Sequence, residues 1–563
     1  MNIRKTAAFL LAAVTGAALL TGCQTVKPLD ITKNSGDESS ANEVSETEQA
    51  TTQPVETYPD YPISYPAIEQ QDTGVVYEAE NCSLNGLNTA ADRKNFSGEG
   101  YVCGFSAEGT DSLDFIVEVP SNQHYDLSFC IASDQIVNCT VLLNDTEISR
   151  FETTKDGAFT IITLYGVFLV KGESGITLKA EDGNIDLDYL KISNNTTLSE
   201  LSYDADGEPA NEKAAQSARE LLSFLSSNYG KYIITGQYVS DDSNSELDLI
   251  YRTTGKYPVI RFSALENAGD SFDDSFKSID AAAQWYKNGG IVGLMWHWDA
   301  PGKKPSVYAK DTDFKLSDAV TDIDIAEMSQ EEIRGLYGEG KISEQCYGLI
   351  LDIDNMAGQL VSLKNKGVPV LWRPLHEASG DWFWWGASGT DAYKWLWQLM
   401  YTRMTDYFGL DNLIWVWNGQ SAGTLVDRST FDIASVDIYM DAEKDYGSRY
   451  EQFAALQKII GTNKLIALSE CSRLPDIDLS FRDNAVWSFF GLWYGDYLEN
   501  SSGEYSPEYL PKDSFIRMYN SNGALTLDEY TAMKNEKKQS TGASGALTTG
   551  TVTTMTTAAP AAE

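Results

Sequence analysis

The sequence is poor in histidine and cysteine, with 3 and 7 among 563 residues. No Cys-x-x-Cys pair and no Cys/His cluster occurs, which argues against a zinc centre. Positive charge is scarce as well: 42 Lys+Arg against 82 Asp+Glu leave a formal net charge of −40. A field of that sign repels DNA, RNA and anionic lipid, so no nucleic-acid partner is expected. After the N-terminal twenty-odd residues no apolar run approaches ~20 residues, so no membrane-spanning helix is expected there. No glycine-rich loop follows the first strand of the C-terminal half, which argues against a nucleotide-binding doubly wound sheet.

What is present begins with an address. Arg4 and Lys5 precede an apolar run from Ala7 to Leu20, followed by Thr21, Gly22 and Cys23. A charged start, a short apolar stretch and small residues make a secretory signal peptide. The cysteine directly after Thr-Gly resembles a bacterial lipobox. The resemblance implies removal of residues 1–22, acylation of Cys23 and an extracellular, cell-surface lipoprotein that meets the membrane only through that anchor. Residues 23–74 are rich in Ser, Thr, Glu, Gln and Pro and read as a disordered linker. Residues 534–563, rich in Thr and Ala, read as a disordered tail.

Between these lie two units of different texture, as expected for a chain longer than one core usually serves. Residues 75–195 hold short alternating strands, among them Leu113–Val119, Tyr125–Phe129, Thr140–Asn144 and Ile185–Ile192. No amphipathic helix separates them, and the unit reads as an all-β sandwich. Cys130 and Cys139 flank a predicted turn at Asp134 and Gln135; they either pair across it or stay reduced with the other four. Residues 203–533 alternate strand and helix. Apolar runs at 232–237, 258–263, 291–298, 368–377, 413–418, 434–439, 465–470 and 486–494 are eight candidate strands. Helical patterns fall at 276–287, 344–364, 392–407 and 449–460. Eight strands with intervening helices predict a (β/α)8 barrel.

In such a barrel the chemistry sits at the C-terminal strand ends. Strand four ends in Arg373-Pro374-Leu375-His376-Glu377, strand six in Asp437-Ile438-Tyr439, and strand seven in Ser469-Glu470. Strand three ends in Trp296-His297-Trp298, and strand eight runs through Trp493. Two glutamates across one mouth are what a retaining glycosidase needs, with carboxyls ~5–5.5 Å apart. Mutual repulsion and nearby aromatics would keep the acid protonated near neutral pH. The other carboxyl must stay ionised, and Tyr439 is placed to hold it. Trp382, Trp384, Trp385 and Trp493 would form an aromatic floor for the apolar faces of sugar rings.

The run Val370–Glu377, continued by Trp382-Phe383-Trp384-Trp385-Gly386, resembles glycoside hydrolase family 26, as does Asn412–Asn418. The resemblance implies a retaining (β/α)8 enzyme that needs no cofactor for catalysis, most members being β-mannanases. It implies Glu377 as acid/base, Glu470 as nucleophile, His376 orienting the carboxyls and Tyr439 bonding the nucleophile. His297, Trp382 and Trp493 would line the sugar subsites. Cys471 after the nucleophile departs from expectation, and Tyr494 stands where some members carry a basic residue. The segment from Asp299 to Lys341 is expected to form part of the cleft wall. The reading is a monomeric endo-β-1,4-mannanase acting on mannan, glucomannan or galactomannan. Mixed-linkage β-glucanase or β-1,3-xylanase activity, exo-action, and a non-catalytic glycan-binding lipoprotein are the alternatives.

The first unit also resembles a known family. Tyr77-Glu78-Ala79-Glu80, Ser97–Val102 and Asp186–Leu190 look like carbohydrate-binding module family 35. That resemblance implies a structural Ca²⁺ held by Glu78, Glu80 and Asp188, hard oxygen ligands that would staple the domain's ends together. Tyr101 is a candidate sugar contact.

Overall fold

The computed structural model describes residues 55–65, 74–106, 111–120, 123–169, 171–195, 202–266, 272–442, 447–461 and 463–545. The expected signal peptide, Cys23 and residues 546–563 lie outside them. Among the described residues no helix is long and apolar enough to cross a membrane.

The N-terminal unit is a sandwich of two antiparallel sheets. One sheet has the order Asn88–Ala90, Tyr101–Cys103, Asp186–Asn194, Gln123–Ala132, Thr160–Leu169, with Val75–Glu78 also paired to Asp186–Asn194. The other runs Ser83–Asn85, Ser112–Val119, Gly172–Ala180, Asn138–Leu143, Thr146–Glu152. The period of two explains the packing: Leu113, Phe115 and Val117 point inward and are fully buried. They belong to one core with Leu127, Phe129, Ile131, Leu187 and Leu190 of the facing sheet.

Two expectations for this unit are corrected. Cys130 and Cys139 stand in different sheets rather than across one hairpin, and all six described cysteines are free. Tyr101 is 3% exposed, and its hydroxyl donates to Asp92, so it is a core residue and not a sugar contact.

Eight parallel strands close the barrel: Gly236–Val239, Ile260–Glu266, Ile291–His297, Val370–Arg373, Leu413–Trp417, Ile433–Ile438, Leu465–Cys471 and Phe490–Leu492. Their apolar runs are nearly continuous because parallel strands are covered on both faces. Strand one differs from the expected 232–237. Ile233–Ile234 precedes the barrel strand and pairs in parallel with Ala524–Leu525, while Ile234 also bridges Phe489. The barrel strand starts at Gly236, where a Cβ would lie 2.5 Å from the Phe490 carbonyl and 2.6 Å from the Phe262 ring. Only glycine lets strand one approach strand eight this closely, and the ring closes there. Strand eight is three residues long, Phe490–Leu492, inside the expected 486–494.

The helices cover the strands. Helix Glu344–Asn365 buries Leu349, Ile350, Ile353, Ala357 and Leu360 on one face. The expected helix 392–407 is α-helical over Thr390–Thr402 and then widens into a π-helical turn, Arg403–Tyr407. That turn places the buried Arg403 against Asp354, with the Arg403 guanidinium also donating to the carbonyls of Ala326 and Met328 at 3.0 Å each. The segment after strand three is thereby pinned to the barrel wall. Its helix Gln330–Gly338 opens on a capping box, in which Ser329 and Glu332 satisfy each other's free N–H groups.

The unit boundaries are wider than the composition indicated. Within the expected linker, Tyr61 N donates to Asn520 O at 2.8 Å and Asn522 N to Tyr61 O at 2.9 Å. Ser64 N donates to Asp478 at 2.8 Å, so residues 61–64 lie against the barrel. At the other end, helix Leu527–Gly545 runs past residue 534. Sandwich and barrel meet at His124, whose ring lies edge-on to Tyr450 at 4.3 Å with Nδ1 3.8 Å from Asp483. Burial, with Arg482 and Arg449 nearby, pushes His124 down to about 3, so this contact is made by a neutral imidazole.

Candidate active site

Strands four, five, six and seven deliver one hydrogen-bonded network at their C-terminal ends. Arg373 closes strand four, and its guanidinium is buried between two carboxylates. Nη1 donates to Asp437 at 2.9 Å and Nη2 donates to Glu470 Oε1. Nη2 also donates to the Tyr238 hydroxyl at 3.2 Å. The other Glu470 oxygen, Oε2, accepts from the Tyr439 hydroxyl at 2.7 Å. Glu470 is thus held as a carboxylate with donors on both oxygens. Such bonding favours the ionised form.

Asn418, closing strand five, is the hub of the network. Its Nδ2 donates to Ser469 Oγ at 2.9 Å and to Asp437 Oδ1 at 3.1 Å, and its Oδ1 accepts from the backbone N–H of Glu377 at 2.8 Å. That last bond fixes an unusual backbone. Leu375 and Glu377 both have φ of +52°, a left-handed conformation that costs a non-glycine residue about 1–3 kcal/mol. The strain is held by the Asn418 bond and by the Trp385 indole, which donates to His376 O at 2.7 Å. It turns the Glu377 side chain back over the barrel mouth.

There Glu377 Oε2 accepts from the Trp382 indole at 2.8 Å. Carboxylate oxygens of Glu377, Asp437 and Glu470 lie within 4.8 Å of one another. Arg373 neutralises part of this charge. Burial and then the Asp437 charge push Glu377 up to about 7, against the Trp382 bond and Arg373, which pull it down. The two carboxyls thus stand in unlike surroundings: burial raises Glu377, while donors reach both oxygens of Glu470.

The residues expected from sequence fall as follows. Glu377, Glu470 and Tyr439 converge. Trp382 stands over Glu377 and is 51% exposed. Trp493 and His297 meet at 6.3 Å, and His297 and His376 at 5.3 Å between ring centres, forming one side of the mouth. His376 makes no bond to either carboxylate: its Nδ1 is buried without a hydrogen-bond partner, and its ring packs on Phe383 and Trp385. Burial and Arg373 push both histidines down, His297 to about 4, so both are neutral. Trp384 and Trp385 are core residues and no part of an aromatic floor. Arg373 and Asp437 stood at the expected strand ends without a role, and Asn418 and Ser469 stood in the quoted runs. The partnership of all four depends on which way each side chain faces.

In the sandwich, Glu78, Glu80 and Asp188 gather around the turn at 97–99. Ser97 Oγ donates to Glu78 at 2.7 Å, Ser97 N to Asp188 at 2.9 Å, and Glu99 N to Glu80 Oε1 at 2.8 Å. Glu80 Oε2 is buried with no hydrogen-bond partner. A Cβ on Gly98 would lie 2.2 Å from Glu80 Oε1, so the turn is built tightly around the acids.

The profile of glycosyl hydrolase family 26 matches residues 210–515, and that of carbohydrate binding module family 35 matches residues 75–195. A mannan endo-1,4-beta-mannosidase of Thermothelomyces thermophilus is 33% identical over 480 residues, which is 82% of this chain and 92% of that protein. Mannan endo-1,4-beta-mannosidase A of Piromyces sp is 32% identical over 76% of this chain and 69% of its own. The crystal structure of a Podospora anserina GH26-CBM35 beta-(1,4)-mannanase superposes with a TM-score of 0.53 at 30% identity, covering 82% of this chain and all of that one.

Proposed function

The chain belongs to glycosyl hydrolase family 26 and carries a family 35 carbohydrate-binding module, and on that premise we propose that it is an endo-β-1,4-mannanase working by double displacement. It is a glycoside hydrolase. The observation that carries it is the approach of Glu377 and Glu470 oxygens within 4.8 Å, well short of the ~6.5–9.5 Å that an inverting pair keeps for its attacking water. The names of the relatives support mannan as substrate.

In the first step a Glu470 oxygen attacks the anomeric carbon while the glycosidic C–O bond breaks. Glu377 gives its proton to the departing oxygen. The product is a glycosyl ester on Glu470, and Glu377 is left as a carboxylate. In the second step Glu377 takes a proton from water, the hydroxide oxygen bonds to the anomeric carbon, and the ester bond to Glu470 breaks. Tyr439 and Arg373 hold Glu470 ionised before attack and receive it again as the leaving group. The neutral His297, with Trp493 and Trp382, offers uncharged contact to a neutral sugar.

The same experiment tests substrate and location. Cells expressing the full chain are expected to release reducing sugar from glucomannan and galactomannan, and not from lichenan or β-1,3-xylan. Activity should stay with the cells and pass into the medium when Cys23→Ser removes the acylation site. Hydrolysis confined to lichenan or xylan would overturn the substrate, and cell-bound activity of Cys23→Ser would overturn the anchor.

For the sandwich, the reading is a structural calcium ion on Glu78, Glu80 and Asp188. The buried unpaired Glu80 oxygen supports that ion. Bound calcium would tie the turn at 97–99 to the first and last strands, which already pair with each other. At a concentration 100-fold above Kd it should stabilise the fold by about 2.7 kcal/mol. Thermal unfolding with calcium against chelator reads this, and an equal shift in Asp188→Ala would dismiss the site.

A further inference from the structure

We propose that Asp352, on the helix behind the barrel, is a positioning residue for Glu377, acting through Trp298 and Trp384 on the indole of Trp382. The inference rests on the reading of Glu377 as acid/base.

The Asp352 side chain lies outside the network of Arg373, Asp437 and Glu470. It sits on helix Glu344–Asn365, where burial pushes its carboxyl up to about 6, with Asp299 adding to the shift. A carboxylate kept in a place that resists its charge needs a partner, and it has one: Trp298 Nε1 donates to Asp352 Oδ2 at 2.8 Å. Trp298 follows strand three. Its ring stacks on Trp296 at 4.1 Å and meets Trp384 edge-on at 4.9 Å. Its carbonyl accepts from Trp384 Nε1 at 2.6 Å.

Trp384 is two residues from Trp382, and the backbone between them is clamped. Trp384 N donates to Val307 O at 3.2 Å, Ala309 N donates to Trp382 O at 2.8 Å, and Tyr308 bridges Phe383. The half-exposed Trp382 ring has little packing of its own. Its bed is Gly380, where a Cβ would come within 2.1 Å of the ring. The bond from Trp382 Nε1 to Glu377 is therefore only as well placed as the backbone that carries it. The path from Asp352 runs through two indole N–H bonds to that backbone.

Losing the Trp382 bond has a defined sign. A hydrogen bond to the charged form lowers a carboxyl's proton affinity, so removing it raises Glu377 further. The groups facing Glu377 are Asp437, Glu470, Arg373 and the hydroxyls of Tyr308 and Tyr439, and none of them contacts Asp352.

The test is the pH profile of kcat/KM on a soluble mannan, with the full chain. Trp382→Phe is expected to move the alkaline limb to higher pH. Asp352→Leu should move it the same way, with a severalfold loss in kcat and little change in KM. Asp352→Asn, whose amide oxygen still accepts from Trp298, should keep the wild-type limb. In the double variant Asp352→Leu/Trp382→Phe, the limb should stand where Trp382→Phe alone puts it. A wild-type limb in Asp352→Leu, or additive shifts in the double variant, would overturn the proposal. Where Asp352→Leu does not fold, Trp298→Phe removes the same bond from its other end and is read by the same criteria. Glu377→Ala run alongside separates the two levels: an alkaline limb that survives there refutes Glu377 as acid/base, not the link to Asp352.

Discussion

Replacing Glu470 with Ala is expected to lower mannan hydrolysis by about 10⁴-fold or more, with the fold intact. The fold should survive because Arg373 keeps Asp437, at 2.9 Å, as its buried counter-charge. The removed carboxylate leaves a space of its own size facing the anomeric carbon. Azide entering that space should restore turnover of an aryl β-mannoside with a good leaving group. One displacement without an enzyme ester inverts the centre, so the product should be the α-mannosyl azide. Nuclear magnetic resonance of the product decides the matter. A β-configured azide, or a variant within tenfold of wild type, would rule out Glu470 as nucleophile.

Glu377→Ala is expected to lose about 10²–10⁴-fold on mannan, where the departing sugar oxygen needs a proton. On a dinitrophenyl mannoside the first step needs no acid, so that step should proceed near the wild-type rate and the ester on Glu470 should accumulate. Azide should then attack the ester and give the β-mannosyl azide, the mirror of the Glu470 result. The pH profile adds a second reading. The working form of Glu377 is the protonated one, and its carboxyl stands at about 7. Wild-type kcat/KM should therefore fall as pH rises through that value. The limb should be absent in Glu377→Ala with the activated substrate. If it persists there, another group titrates, and the assignment of the acid falls.

Much of this arrangement was legible from local pattern. The alternation Leu113, Phe115, Val117 marks a half-buried strand wherever it occurs. A run such as Leu413–Trp417, apolar throughout, marks a strand covered on both faces. Polar residues following such runs point to the C-terminal mouth, and Glu377, Tyr439 and Glu470 are among them. Where the pattern misled, a longer-range contact had prevailed. Residues 233–234 are as apolar as a barrel strand, but they pair with Ala524–Leu525, and the barrel strand begins only at Gly236, which leaves room for the Phe490 carbonyl. Trp384 and Trp385 share a motif with Trp382 but point into the core, since neighbours on a loop need not share a face.

The sequence alone determined the class of each unit, a β-sandwich followed by a (β/α)8 barrel, and the place of Glu377 and Glu470 at the barrel mouth. Hydrophobic period and strand-end position are properties of neighbouring residues, and they survive without knowledge of the fold. Only the tertiary structure decided which groups surround those glutamates. Arg373 reaches Glu470 across 97 positions of chain, and Trp298 reaches Asp352 across 54. Such pairs exist because barrel closure sets the register of each strand, and a slip of one residue would turn every side chain on it to the other face. Local pattern places a carboxylate at the mouth; register decides whether it meets an arginine, a tyrosine or water.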